Sequence, residues 1–191
     1  MSNVLYRFIR PFFVLYFKLR YNPKIVGREN IPNNGPVILI ANHTNNLDFI
    51  SMGITTKRPI SFLAKHTLFK GILKVILKLS GVIPVDRTKK DKSVLENAKI
   101  VLQNNGVVGI FPEGTFNKTK NVLAPFKIGA VKLSKENNVP IIPIAIKGSY
   151  ERGKLEIIAG EKFNAKSNDL DLENKNLMEK LENMLIMKKD V

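Results

Sequence analysis

Three short stretches of this 191-residue chain hold side chains that could do chemistry. In ANHTNNLD, His43 stands five residues before Asp48. An imidazole can take a proton from a hydroxyl near neutral pH, and a carboxylate on its other ring nitrogen fixes the tautomer and stabilises the imidazolium. Five residues is an awkward offset on one helix, so the pair would meet where a loop enters a helix. The alternative makes Asp48 only the cap of that helix. In GVIPVDRT, Arg87 could grip a phosphate through two parallel hydrogen bonds, or be one more surface charge. In FPEGT, Glu113 and Gly114 stand just past a strand-like run, where glycine lets backbone approach a ligand; a plain turn would use the same residues.

The elements that must position these residues are legible from turn signals and periodicity. VILIA (37–41) is a short β-branched run between turns, read as a buried strand that leads directly to His43. PISFLA (59–64) is a second strand. Lys65 to Ser80 reads as a helix, with Lys70, Lys74 and Lys78 opposite Leu68, Ile72, Val75, Ile76 and Leu79. Its basic face suits either solvent or anionic lipid. A helix over 91–105 is stopped by Gly106, and the strand VVGIF (107–111) leads to Glu113. Pro125 opens a helix over 125–137, while VPIIPIAI (139–146) is apolar but too rich in proline for a central strand throughout. KLEIIAG (154–160) is a last strand and 170–187 a closing helix. Alternating strands and helices predict an α/β fold, a single domain with a mixed sheet flanked by helices.

The N-terminal VLYRFIRPFFVLYFKLRYNP is the most apolar stretch, but its longest uncharged run, 11–17, is far short of the roughly 20 residues a membrane span requires. A cleavable signal peptide fits poorly, because charges lie on both sides of the apolar run. At helical spacing Arg7, Arg10, Val14 and Lys18 form a narrow basic stripe, with Leu5, Phe8, Phe12, Phe13 and Tyr16 over the remainder. Residues 1–23 are therefore expected to form an amphipathic helix in a membrane interface, the alternative being a terminal helix packed on the core. Residues 24–191 form the remaining domain.

Composition narrows the partners. With 31 Lys+Arg against 16 Asp+Glu, the net charge is +15, which predicts a negative partner: nucleic acid, an anionic membrane, or a phosphorylated or acidic substrate. A hydrophobic fraction of 44% excludes a disordered basic tail. Residues 161–191, with 6 Lys and 7 acidic side chains, take no share in the excess. The absence of cysteine excludes thiol catalysis and cysteine-ligated metal, and only two histidines argue against a histidine-rich metal site. No helix-turn-helix, zinc or RNA-recognition signature is present, and the basic residues alternate with large apolar ones rather than stacking aromatics, so nucleic acid is not the expected partner.

Taken together, ANHTNNLD, GVIPVDR, FPEGT and VPIIPI, in that order and spacing, resemble the lysophosphatidate and glycerol-3-phosphate acyltransferase family, in particular its bacterial 1-acylglycerol-3-phosphate acyltransferases. VGRENIP, LAKHTLFK and APFKIGA look similar to that family too, and the likeness covers roughly residues 24–160. The resemblance implies transfer of a fatty acyl group to the sn-2 hydroxyl of lysophosphatidate, giving phosphatidate. The co-substrate would be acyl-CoA or an acyl carrier protein thioester, with no other cofactor and no metal. It implies His43 as general base and Asp48 as its orienting carboxylate, with direct attack and no acyl-enzyme. By the same resemblance Lys65 and Arg87 would bind the acceptor phosphate, and Glu113, Gly114 and Thr115 would help bind the acceptor. Val139, Pro140, Ile141, Ile142 and Pro143 would belong to the acyl-donor region. Anionic membrane lipids are implied partners, at the cytoplasmic face of the cell membrane.

One departure stands out. Many family members carry arginine after the threonine of the third block, as a phosphate ligand, whereas this chain has Phe116. Either Lys65, Arg87 and Lys118 or Lys127 supply the charge, or the acceptor is another lysolipid. A non-catalytic basic lipid- or nucleic-acid-binding protein is the alternative from a different class.

Overall fold

The computed structural model describes residues 4–68, 82–85 and 92–187. Helix α1 covers Val4–Tyr21, followed by β1 (Lys24–Val26), β2 (Val37–Ala41), the short α2 (Asp48–Gly53) and β3 (Ile60–Lys65). Next come β4 (Ile83–Val85), α3 (Lys92–Gln103), β5 (Val107–Ile110), α4 (Gly129–Asn137), β6 (Ile141–Gly148), β7 (Leu155–Ala159) and α5 (Leu170–Ile186). The seven described strands form one sheet in the order β1-β7-β6-β2-β5-β3-β4. Every described pairing is parallel except β6 with β7, so the sheet is mixed, as expected.

β2 is the sheet's centre and shows why it folds. Ile38 and Ile40 pack on one face with Ala98 and Leu102 of α3, Val131 of α4, and Leu177 and Leu181 of α5. Val37, Leu39 and Ala41 point to the other face, with Phe17 and Tyr21 of α1 and Met52 of α2. A parallel strand covered on both sides needs an apolar residue at every position, and VILIA supplies five in a row.

The elements follow the sequence closely, with instructive differences. The helix expected from Pro125 begins at Gly129 instead. Lys127 N–H donates to the Pro112 carbonyl at 2.8 Å, which holds the preceding residues against the loop after β5. The proline-rich 139–146 segment is an inner strand after all, lying between β2 and β7. Pro143 is tolerated because it faces Gly160, just beyond the end of β7; that pair keeps one hydrogen bond, from Gly160 N–H to the Pro143 carbonyl. The stop after α3 divides between two residues: Asn105 takes the left-handed conformation at φ 55°, and Gly106 N–H bonds back to the Val101 carbonyl. The helix expected after the His43 loop is the six-residue α2, whereas the three-residue β1 carries no signal that the sequence analysis used. Lys65 ends β3 and a short 3-10 turn follows at His66–Leu68, so the expected 65–80 helix does not begin there; most of it lies outside the described residues.

α1 turns two faces to different surroundings. Val14, Phe17 and Tyr21 pack into the core, whereas Phe8, Phe12, Leu15, Tyr16 and Leu19 are exposed, Phe12 at 74%. At about 100° per residue the two sets lie on opposite sides of the helix. Among the described residues no helix is long and apolar enough to cross a membrane.

Candidate active site

β6, β2 and β5 are adjacent and parallel, so their carboxyl ends open at one edge of the sheet, the usual place for a site in α/β folds. His43 comes two residues after β2, Phe111–Gly114 directly follow β5, and Tyr150 lies two residues after β6. Lys65 closes β3 at the same edge.

The first of these ends carries the expected pair. His43 Nδ1 lies 3.0 Å from Asp48 Oδ2, with the imidazole side chain 17% exposed and the Asp48 side chain at 0%. Asp48 opens α2, and its Oδ2 also accepts from the backbone N–H groups of Thr44 at 2.7 Å and Asn45 at 2.8 Å. The five-residue spacing works because the tight NHTNNLD turn wraps around the carboxylate before the helix begins. Asp48 is the first residue of the helix rather than its cap: Leu47 holds the N-cap position without a side-chain bond, and the Asp48 carboxylate serves the histidine and the turn before the helix. With Nδ1 held by Asp48, Nε2 is the nitrogen available to take a proton.

The β5 end locks the histidine from the other side. Glu113 is buried, and its two oxygens accept from the backbone N–H of His43 and of Ala124, each at 2.7 Å. Burial pushes the Glu113 carboxyl above its ordinary value, opposed by those two hydrogen bonds. Its oxygens are therefore committed to the protein's own backbone. Gly114 sits at φ 71°, and a Cβ there would come within 2.7 Å of Lys127 Cε, so the Lys127 chain crosses this turn. Thr115 is exposed. The His43 ring stacks on Phe111, centroids 4.0 Å apart and planes 17° apart, and meets Phe116 at 4.3 Å. Phe62 continues the aromatic row behind Phe111 at 6.3 Å.

Sequence reasoning missed Tyr150. Its hydroxyl donates to Asp48 Oδ1 at 2.6 Å and lies 2.9 Å from Ser51 Oγ. Burial, with the Asp48 carboxylate, pushes the Tyr150 hydroxyl well above the ordinary phenol value, so it stays a proton donor. Its one sequence signal is a tyrosine just past an apolar run, too common to single out. Asn42 was missed too: its side-chain amide exchanges two 2.9 Å bonds with the Ile146 backbone and so ties the ends of β2 and β6 together.

Other expected residues fall elsewhere. Val139, Ile141, Ile142 and Pro143 are buried at the amino end of β6, with Pro140 only partly exposed. The register pairs Ile141 with Ile38 and Pro143 with Ile40, so this segment lies inside the sheet along β2 and stops short of the carboxyl end that carries His43. Arg87 lies outside the described residues. No group of three or more His, Cys, Asp or Glu side chains that could hold a metal converges among the described residues.

The family model described as Acyltransferase matches residues 22–147. The chain is similar to the 1-acyl-sn-glycerol-3-phosphate acyltransferase of Bacillus subtilis (strain 168), with 28% identity over 165 residues, 82% of this chain and 81% of that one. It is 33% identical over 141 residues to the protein of the same name from Saccharomyces cerevisiae, covering 70% of this chain but only 45% of the yeast protein. Its fold is similar to the crystal structure of the 1-acyl-sn-glycerophosphate (LPA) acyltransferase, PlsC, from Thermotoga maritima. The TM-score is 0.73 and the identity 24%, over 92% of this chain and 76% of that one.

Proposed function

Since this chain belongs to the Acyltransferase family, an enzyme class of O-acyltransferases, we propose that it moves a fatty acyl group from a thioester to the sn-2 hydroxyl of 1-acylglycerol-3-phosphate. The observation that carries the reading is the His43–Asp48 pair at the carboxyl end of β2, one carboxylate oxygen on Nδ1 and Nε2 left for the acceptor. His43 Nε2 takes the hydroxyl proton as the acceptor oxygen attacks the thioester carbonyl carbon. The C–S bond then breaks, and the departing thiolate recovers the proton from the imidazolium that Asp48 stabilises. The donor is acyl-CoA or an acyl carrier protein, and the Val139–Pro143 segment serves it indirectly, through the seat it gives β2.

Phe116 puts an aromatic ring against His43 where many relatives have a cation. The acceptor phosphate then depends on Lys65, Arg87 and Lys127, the last of these lying over Gly114. Gly114 and Thr115 line the approach, and Glu113 holds the backbone beneath it. The outward stripe of α1, with Phe8, Phe12, Leu15 and Leu19, rests in the interface of an anionic bilayer at its cytoplasmic face. The positive body adds attraction worth about 1 kcal/mol per Lys or Arg near the surface. On this reading residues 1–23 form the membrane element and 24–191 the acyltransferase domain.

The test is a grid of lysolipid acceptors against acyl-CoA and acyl carrier protein donors, following thiol release and identifying the product lipid. Phosphatidate from lysophosphatidate supports the reading. Thiol release with a different lysolipid alone moves the acceptor assignment, and no transfer to any acceptor rejects it.

A further inference from the structure

Asp48 is fully buried, and its two oxygens are used unequally. Oδ2 accepts from His43 Nδ1 and from two backbone N–H groups, whereas Oδ1 accepts from the Tyr150 hydroxyl at 2.6 Å. That hydroxyl has a single proton, so the 2.9 Å contact with Ser51 Oγ runs from Ser51 to Tyr150. The Tyr150 ring is gripped edge-on by Phe17 and Tyr21 of α1, centroids 6.3 and 5.7 Å away. Gly153 N–H donates to the Tyr21 carbonyl at 2.8 Å, tying the loop after β6 to the end of α1.

We propose that Tyr150 is a positioning residue that acts through Asp48: its hydroxyl fixes the carboxylate and shares the charge on Oδ1, while its ring joins that carboxylate to the seat of α1. The inference rests on His43 as the base of the proposed reaction, and it concerns a residue outside the 22–147 stretch that the family model matches. Without the hydroxyl, Oδ1 is a buried acceptor with its donor removed, and negative charge concentrates on Oδ2. Oδ2 then holds the His43 imidazolium more strongly, and the histidine titrates at higher pH. Among the described residues, the titratable and charged groups around the pair are Glu113 in the loop after β5, Lys127 over Gly114, and Tyr16, Arg20 and Tyr21 of α1 behind Tyr150. Tyr150→Phe changes none of them and keeps the ring.

The chain has two histidines, so 15N-histidine NMR of the full-length protein, with His66→Gln to assign the signals, reads the His43 titration directly. In Tyr150→Phe the His43 midpoint rises by about half a pH unit or more. In transfer assays the same variant loses about tenfold in kcat, with KM for both substrates within about twofold. In an Asp48→Asn background, Tyr150→Phe costs less than about twofold, because the residue it acts through has already lost its charge. An unchanged midpoint in a folded Tyr150→Phe protein overturns the inference, as does a full tenfold loss that persists in Asp48→Asn. If wild-type protein transfers no acyl group the proposed reaction fails, while the NMR midpoint still decides whether Tyr150 acts on the pair.

Discussion

The two ends of the central sheet carry buried and half-buried polar side chains of very different kinds. At the amino end Arg58 donates to the carbonyls of Pro32, Gly35 and Asn105, which precede β2 and β5, and burial lowers its tendency to hold a proton. Its partners there are backbone groups with nothing to exchange. At the carboxyl end, Asp48, His43, Tyr150 and Ser51 bond mainly to one another, and the chain stops at an imidazole nitrogen that points onward. A polar group satisfied by backbone fastens the fold. One satisfied by a titratable neighbour hands its charge to the next group.

The comparison can be broken in several ways. The largest expected effect is Asp48→Asn, which keeps the shape of the turn but loses the charge that supports the imidazolium; kcat should fall about a thousandfold or more. A loss below about tenfold would make Asp48 a support of the turn and nothing else. Arg58→Met should do the reverse, costing about 2 kcal/mol of unfolding free energy by orphaning carbonyls while kcat of the folded protein stays within about twofold.

Glu113→Gln comes next, since an amide cannot accept from both the His43 and Ala124 N–H groups; a loss of about 1 to 2 kcal/mol is expected in denaturant titrations. Its pH dependence has a definite sign. The folded-state value of Glu113 is raised by burial above the ordinary 4.5, so the wild-type advantage over Glu113→Gln is greatest below that value and shrinks as pH rises through the raised one. A gap that widens with pH would show that the two backbone bonds outweigh burial. The smallest effect is on the membrane side: Phe12→Ser, on the exposed stripe of α1, should weaken binding to anionic vesicles about tenfold and leave stability unchanged. Unfolding by this substitution would mean that the stripe is packed rather than exposed.

How much of this was legible follows from distance along the chain. His43 and Asp48 are five residues apart, within one turn, so their meeting is a local matter that spacing can suggest. Tyr150 is 102 residues from Asp48, and only the register of β6 beside β2 brings it there. Glu113 was legible as a site residue, but not that both its oxygens face backbone, which depends on the loop carrying Ala124 folding back over it. Pro143 misled because a proline rule written for ladders meets a pair at the end of one. The basic stripe read on α1 divides: Val14, counted within it, faces the core while Lys18 is exposed, and the face turned outward carries Phe8, Phe12, Leu15, Tyr16 and Leu19. Periodicity identifies an amphipathic helix without saying which face the domain takes.

The most direct test of the central claim is the single-turnover rate of acyl transfer by purified His43→Ala, set against wild type at matched thermal stability. Loss of the base should lower the rate by about a thousandfold with the melting temperature within a few degrees. A rate within tenfold of wild type from a folded variant would contradict the account.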